Sequence, residues 1–254
     1  MKKKLVVKIG SSTLTNGTNL ISRGKVEDIG RQILDLQKDY DIVLVSSGAV
    51  AAAKQRINII DPGKLVETKQ AMAAIGQPLL MRIYHEIFSD FGIRTAQCLM
   101  TYRDFENDVS RRNTLNTINE LLKHYYIPII NENDTTAVEE LILGDNDKLS
   151  ALVAALIKAD LLIIASDIDG VFDKNPHLHD DARLIPEINN IEEAKSLVEE
   201  RDSALGTGGM NSKLEAAMIC QKENIETWIV GGGRNNFLAE SLNGSIAFTK
   251  ISSK

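Results

Sequence analysis

The sequence predicts an α/β fold, a three-layer αβα sandwich around a mainly parallel open sheet. Two observations support this prediction. Short apolar runs alternate repeatedly with segments of helical spacing, which is typical of parallel strands joined by right-handed crossovers. Aromatic residues make up only 5% of the 254 residues, while Ala, Ile and Leu are abundant, as in helices packed on a sheet. A chain of this length can form one large domain or two joined lobes.

Short apolar segments are predicted to be the strands of this sheet. Most of them are almost uniformly apolar, so we expect both of their faces to be buried, as in parallel sheets. Their ranges are 5–9, 42–45, 93–100, 127–130, 160–165 and 227–230.

Segments with helical spacing connect these strands. Their ranges are 23–39, 51–53, 64–90, 109–123, 149–159 and 210–223. In the longest of them, Gly76 and Pro78 predict an interruption, because both residue types disfavour a helix interior. The stretch 11–22 is predicted to be turn-rich, with Asn16 and Gly17 as a hairpin signal.

Composition and charge exclude several classes of protein. The formal net charge is −6 and no basic stripe carries interleaved aromatics, so no nucleic-acid partner is expected. Lys8 interrupts the N-terminal apolar run, and no other stretch is long and apolar enough, so neither a signal peptide nor a membrane span is expected. Cys98 and Cys220 are far apart, which favours free thiols in a reducing cytoplasm. His177 and His179 have no Cys or third His at metal spacing, so no metal site is predicted.

Lys8 is the unusual residue of the first predicted strand. A cation in a buried strand is costly unless an anionic group meets it. Gly10 follows, where the backbone can turn tightly and present N–H groups to a ligand. The strand end therefore predicts a phosphate site. The alternative is that the side chain of Lys8 reaches solvent beside the lysines at 2–4. This segment alone does not decide between a phosphate site and a solvated lysine.

Small or polar residues follow several of the predicted strands. In open α/β sheets, ligands bind at the carboxyl ends of the strands. A single strand-end Gly or Asp is more often a turn residue. Several on one rim of the sheet, however, favour a binding site, and they lie at 8–11, 46–48, 131–134 and 166–170.

A glycine-rich turn at 206–209, within the motif 205–213, precedes the last long predicted helix. Glycines that lead into a helix present backbone N–H groups and the positive end of the helix dipole to an anion. Lys213 would lie about one turn into that helix, within reach of a phosphate oxygen. The spacing matches neither the Walker A nor the G-x-G-x-x-G pattern. A flexible turn with a solvated lysine remains the alternative.

A long polar loop is predicted at 131–147, and long loops in compact domains are commonly functional. Asn146 or Asp147 could simply cap the next helix, which is worth about 1 kcal/mol. Together with Asp134, however, they form a polar set suited to the ammonium and carboxylate groups of a small amino acid. A carboxylate here could also hold two lysines by charge-assisted hydrogen bonds.

Taken in order, these motifs resemble the amino acid kinase family, and within it the branch that phosphorylates the γ-carboxylate of L-glutamate. The resemblance covers nearly the whole chain, and the ordered set is far more specific than any one motif. The matching motifs are 6–12 (VVKIGSS), 46–49 (SSGA), 131–134 (NEND), 144–147 (GDND), 166–172 (SDIDGVF) and 206–210 (GTGGM).

The resemblance implies roles for residues on both sides of the transferred group. Lys8 and Lys213 would contact the γ-phosphoryl group, and Asp147 would orient the two lysines. The residues implied to bind ATP are Lys8, Gly10, Ser166, Asp167, Thr207, Gly208, Gly209, Met210, Asn211, Ser212 and Lys213.

It also implies that Ser47, Asp134 and Asn146 bind glutamate. A boundary near residue 160 would then separate an acceptor-binding lobe, 1–159, from an ATP-binding lobe, 160–254. Many members of this branch carry a C-terminal PUA domain, whereas this sequence ends at residue 254. That difference leaves the expected catalysis intact and puts assembly and the details of regulation in doubt.

The expected cofactors and partners also follow from the resemblance. They are ATP, Mg²⁺ carried chiefly by the nucleotide phosphates, L-glutamate, proline as a feedback inhibitor, and further copies of the chain in a homo-oligomer. Two alternatives stay open: the same fold acting on acetylglutamate, aspartate, carbamate or a nucleoside monophosphate, or a non-catalytic sensor that retains the fold.

Overall fold

A computed structural model of the protein describes residues 2–57, 65–137, 146–176, 178–195 and 209–253. Within these ranges the strands form one sheet in the order β3-β4-β2-β1-β5-β7-β8-β6. Neighbouring strands are parallel except β7 and β8, which are antiparallel. The strands are β1 (Lys3–Ile9), β2 (Tyr40–Ser46), β3 (Arg94–Met100), β4 (Tyr126–Glu132), β5 (Leu161–Ser166), β6 (Glu187–Ile188), β7 (Glu226–Gly231) and β8 (Thr249–Ile251).

Helices cover both faces of this sheet, so the predicted fold class is confirmed. They are α1 (Ser11–Thr15), α2 (Arg23–Leu36), α3 (Ala49–Lys54), α4 (Val66–Asp90), α5 (Arg103–Glu106), α6 (Asp108–Lys123), α7 (Asp147–Ile157), α8 (Gly209–Lys222) and α9 (Phe237–Leu242). Of the helices in the described residues, none is long and apolar enough to cross a bilayer.

The central strand β1 determines on which face of the sheet the site is built. Leu5, Val7 and Ile9 join one core cluster, together with residues of α2, α4 and α9. Val6 joins the opposite cluster, with residues of α6, α7 and α8. Because side chains alternate along a strand, Lys8 lies on the same face as Val6. Its side chain therefore points towards the layer that contains α7 and α8.

The six predicted strands correspond to β1–β5 and β7, and two short strands were missed. β6 and β8 have two and three residues, too few to show a periodicity. β1 pairs with both β2 and β5, so the sheet continues across the predicted lobe boundary near residue 160. The division into two functional lobes stays a prediction.

Two local predictions were wrong. α4 continues through Gly76 and Pro78 without a break. A Cβ at Gly76 would lie 1.7 Å from the carbonyl oxygen of Ala49, so glycine here permits the close contact between α4 and α3. The apolar face of α4 is buried, which offsets the roughly 3 kcal/mol that an internal proline costs. Asn16 is not part of a hairpin but ends α1 in the left-handed conformation.

Candidate active site

Lys8 does not reach solvent but meets a carboxylate inside the protein. Its Nζ lies 2.6 Å from Oδ1 of Asp147, and the two side chains are 4% and 0% exposed. Pairing with β2 and β5 on either side fixes the position of Lys8 in the middle of the sheet. A buried cation is stable here because an anion lies at hydrogen-bond distance.

Lys213 contacts the second oxygen of the same carboxylate. Its Nζ lies 3.0 Å from Oδ2 of Asp147 and donates at 2.9 Å to the carbonyl oxygen of Gly209, one turn earlier in α8. Ser212 donates to the same Oδ2 at 3.0 Å. Asp147 is the first residue of α7, so the starts of two helices converge on the end of β1.

The ionised state of Asp147 follows from its surroundings. Burial alone would raise the pKa of this carboxyl, but the charges and hydrogen bonds of Lys8 and Lys213 outweigh it and hold the pKa below its ordinary value. Counted alone, these three groups carry one net positive charge at neutral pH. The arrangement is suited to receiving an anion.

Asn146 occupies the N-cap position of α7, but its side chain makes no capping hydrogen bond. Nδ2 instead donates to the carbonyl oxygen of Ser46 at 3.1 Å, to Oγ of Ser47 at 3.1 Å and to Oδ1 of Asn131 at 2.8 Å. The side chain thus ties the start of α7 to the ends of β2 and β4. The simple capping interpretation of Asn146 is therefore wrong.

Asn131 and Gln77 extend this contact into a chain of amides that sequence reasoning missed. Nδ2 of Asn131 donates to Oε1 of Gln77 at 2.8 Å, and Oδ1 of Asn131 accepts from the backbone N–H of Glu132 at 2.9 Å. Because Glu132 N–H can only donate and Ser46 carbonyl can only accept, the backbone sets the orientation of all three amides. Asn131 lies inside the polar run already singled out, whereas nothing in the sequence pointed to Gln77.

Tyr84 is a second contribution of α4 that the sequence did not reveal. Its hydroxyl is 2.9 Å from Oγ of Ser46, and Tyr84 is fully buried. Burial raises the pKa of this phenol, so it is neutral at physiological pH. Ser46 Oγ is also 2.9 Å from the carbonyl oxygen of Ser47. Helix α4 therefore supports both the Ser46–Ser47 turn and Asn131.

Asp134 lies just beyond β4, on the same edge of the sheet. Burial and the neighbouring charge of Glu132 raise the pKa of Asp134 to about 6. The predicted loop is shorter than expected at both ends, since Asn131 and Glu132 belong to β4 and Asp147 belongs to α7. Residues 138–145 lie outside the described part of the chain.

The predicted nucleotide residues lie around the ends of β1 and β5 and the start of α8. Gly10 follows β1, and a Cβ there would be 3.4 Å from Nζ of Lys8. Ser166 ends β5 next to it in the sheet and donates from Oγ to Oδ1 of Asp167 at 3.1 Å. The first turn of α8 contains Gly209, Met210, Asn211 and Ser212, while Thr207 and Gly208 lie outside the described residues, as does His177.

The fold and this cluster together define a class of protein. The sequence model of the amino acid kinase family matches residues 3–231, and the chain belongs to that family. The protein is similar to UMP kinase from Ureaplasma parvum in structure, with a TM-score of 0.64, 17% identity and coverage of 99% of both chains, which supports the fold alone.

Within the family, the curated relatives of the chain include glutamate 5-kinases. The chain is 44% identical to glutamate 5-kinase of Clostridium acetobutylicum over 94% of its length and 91% of the relative's. It is 42% identical to glutamate 5-kinase of Clostridium tetani over 95% of its own length and 91% of the relative's. With glutamate 5-kinase of Caldanaerobacter subterraneus it shares 43% identity, but it spans only 64% of that longer protein.

Proposed function

We propose that this chain transfers the γ-phosphoryl group of ATP to the γ-carboxylate of L-glutamate, forming L-glutamyl 5-phosphate as the first step of proline biosynthesis. The observation that carries the proposal is the buried carboxylate of Asp147, held between Lys8 and Lys213 at the carboxyl edge of the sheet. The similarity to glutamate 5-kinases over nearly the whole chain supports the choice of glutamate.

The chemistry requires positive charge rather than a strong base. The γ-carboxylate of glutamate is already ionised at neutral pH, so the reaction brings one anion to a polyanion. Lys8 and Lys213 would neutralise charge on the phosphoryl group in transfer, as such sites generally do. Asp147 would hold the two ammonium groups beside one carboxylate, so that the lysine side chains need little rearrangement during phosphoryl transfer.

The acceptor pocket would lie at the ends of β2 and β4. Ser47 and Asn146, joined by a 3.1 Å hydrogen bond, would present polar groups to glutamate, and Asp134 would bind its ammonium group. The attraction between an ionised Asp134 and an ammonium group would offset the burial and the repulsion from Glu132 that raise the pKa of Asp134 in the free protein.

The nucleotide would occupy the opposite side of Lys8. Gly10, Ser166 and Asp167 would contact ATP at the ends of β1 and β5. The remaining contacts would come from Thr207, Gly208, Gly209, Met210, Asn211, Ser212 and Lys213. The division into an acceptor lobe, 1–159, and an ATP lobe, 160–254, belongs to the same proposal.

Magnesium, proline and assembly are finer parts of the proposal. Among the described residues, no group of three or more His, Cys, Asp or Glu side chains could hold a metal ion, so the protein offers no cage of its own there. Mg²⁺ would arrive with the nucleotide phosphates. Proline inhibition and a homo-oligomer are carried over from the family resemblance, and a cytoplasmic setting from the free thiols of Cys98 and Cys220. Each of these needs its own test.

An acceptor panel tests the proposed function. ADP release would be measured with ATP and Mg²⁺ and with glutamate, acetylglutamate, aspartate, carbamate or UMP, and an acyl phosphate product would be trapped with hydroxylamine. We expect turnover and hydroxamate formation with glutamate. Turnover with another acceptor and none with glutamate would contradict the proposal, and ligand binding without turnover would indicate a sensor.

A further inference from the structure

A buried polar cluster lies on α2, away from the site described above. It consists of Lys25, Asp28 and Gln32, which are 3%, 2% and 4% exposed. These residues recur at helical spacing on one face of α2, where apolar side chains would be expected against a neighbouring element. Burying a lysine, a carboxylate and an amide is costly unless each has a partner. The hydrogen-bond partners of these three side chains indicate the structural role of the cluster.

Most of their partners outside the cluster lie in the segment 232–239, which comprises the connection from β7 to α9 and the first turn of α9. Nζ of Lys25 donates to the carbonyl oxygen of Arg234 at 2.5 Å and to that of Gly233 at 3.4 Å. The same ammonium lies 5.1 Å from the centre of the Phe237 ring and 3.7 Å from Oδ2 of Asp28. Lys25 thus holds the segment through its backbone, whichever side chains it carries.

Asp28 and Gln32 hold the next part of the same segment. Asp28 accepts from the backbone N–H of Asn236 at 3.2 Å, and Oε1 of Gln32 accepts from those of Leu238 at 2.8 Å and Ala239 at 3.2 Å. Asn236 itself makes no side-chain cap for α9. The start of α9 is therefore capped from another helix, α2.

The other end of this segment lies against the proposed nucleotide residues. The backbone N–H of Gly232 donates to the carbonyl oxygen of Ser166 at 2.7 Å. Nη2 of Arg234 is 3.4 Å from both carboxylate oxygens of Asp169. A Cβ at Gly232 would lie 2.5 Å from Oγ1 of Thr13, so the segment fits closely between β5 and α1.

We propose that Lys25 is a positioning residue for nucleotide binding: by holding the carbonyl groups of Gly233 and Arg234, it keeps Gly232 on Ser166 and Arg234 on Asp169. This inference rests on the proposed function, because Ser166 and Asp167 are nucleotide residues only within that proposal. Lys25 touches neither substrate. Its loss displaces the backbone beside Ser166 and leaves the acceptor pocket at β2 and β4 unaffected.

The test is Lys25→Met, which keeps the apolar stem and removes the ammonium group. We expect the KM for ATP and the Kd for ADP to rise at least about fivefold, with the KM for glutamate within about twofold of the parent. Gln32→Met removes four hydrogen bonds, two to Asp28 and one each from Leu238 and Ala239. These lie in the same cluster farther from Ser166, so the variant should lower Tm without changing the KM for ATP. Lys38→Met, at an exposed lysine just beyond α2, controls for lost charge.

The outcomes separate this inference from the proposed function. A parent protein that neither binds ADP nor phosphorylates glutamate contradicts the function, whereas an active parent with an unchanged ATP KM in folded Lys25→Met overturns the inference alone. An equal rise in the two substrate KM values would also overturn it, since it would indicate a general loss of structure. If Lys25→Met does not fold, the second variant is Arg234→Met, which removes the contact between Arg234 and Asp169 at the exposed end of the segment. A KM for ATP within about twofold of the parent in this variant would overturn the inference.

Discussion

Nζ of Lys8 lies 2.6 Å from Oδ1 of Asp147 in the interior of the protein, on the face of the sheet against which α7 and α8 pack. This contact explains why a lysine can stand in a buried parallel strand. It also places an ammonium group beside Lys213, which contacts the other oxygen of the same carboxylate. Lys8 in β1 and Asp147 at the start of α7 therefore form one buried ion pair.

Lys8→Met should lower kcat by roughly 10³, because about 4 kcal/mol of transition-state stabilisation is lost with the ammonium group. The change keeps the apolar stem and can be followed by initial rates at saturating glutamate and ATP. Lys3→Met, at an exposed position on the same strand, is the matched control and should retain the parent rate. A loss below about tenfold in Lys8→Met would show that the lysine serves structure rather than transfer.

Asp147→Asn should be costly because it leaves two buried lysines without their shared carboxylate. Removing one member of a buried ion pair costs roughly 3–5 kcal/mol, and a comparable drop in the free energy of unfolding is expected near neutral pH. The pKa of Asp147 is held below its ordinary value, so its contribution is complete above about pH 4 and is lost as the pH falls further. Urea unfolding across this range would measure both effects. Equal stability of the variant and the parent near neutral pH would contradict the assigned ion pairs.

Sequence reasoning could single out the residues of the candidate site that a local pattern marks. Lys8 was noticeable because a cation is unusual in an apolar strand, and Gly10 and Ser166 because parallel strands place their carboxyl ends on one edge. Gln77 and Tyr84 were missed because their partners, Asn131 and Ser46, lie far away in the sequence. Such contacts depend on how α4 packs against the sheet.

Secondary structure was misjudged where packing outweighs local preference. The continuous helix through Pro78 and the inclusion of Asn131 and Glu132 in β4 are both of this kind. In each case a polar or helix-breaking residue indicated a boundary, but tertiary contacts extended the element beyond it.

Asp134 should make glutamate binding depend on pH. Its pKa is raised to about 6 in the free protein, so the carboxylate that would bind the ammonium group of glutamate is increasingly protonated below that pH. The KM for glutamate should therefore rise roughly tenfold between about pH 7 and pH 5, while the KM for ATP changes little. Asp134→Asn should have a high KM for glutamate that is flat over the same range. A parent KM that is also flat would remove Asp134 from the acceptor pocket.

Tyr84→Phe removes one hydroxyl group from a buried ring and leaves the ring packing against Phe88 intact. The lost hydrogen bond to Ser46 should cost about 1 kcal/mol of stability. Because Ser46 supports the turn that carries Ser47, we expect the KM for glutamate to rise a few-fold with kcat nearly unchanged. Tyr125→Phe, at a residue that is 70% exposed, is the control. A parent-like KM for glutamate in Tyr84→Phe would limit Tyr84 to a packing role.

Gln77 should matter through the oxygen that it offers to Asn131. Gln77→Met keeps the size of the side chain but leaves Nδ2 of Asn131 without its acceptor, whereas Gln77→Glu retains an acceptor at the same place. Since Asn131 in turn accepts from Asn146, the methionine variant should raise the KM for glutamate about tenfold, a cost of roughly 1.4 kcal/mol, and leave the KM for ATP within about twofold. The glutamate variant should recover part of that loss. If both variants raise the KM equally, the amide chain does not orient the acceptor pocket, because the one property that separates them would then have no effect.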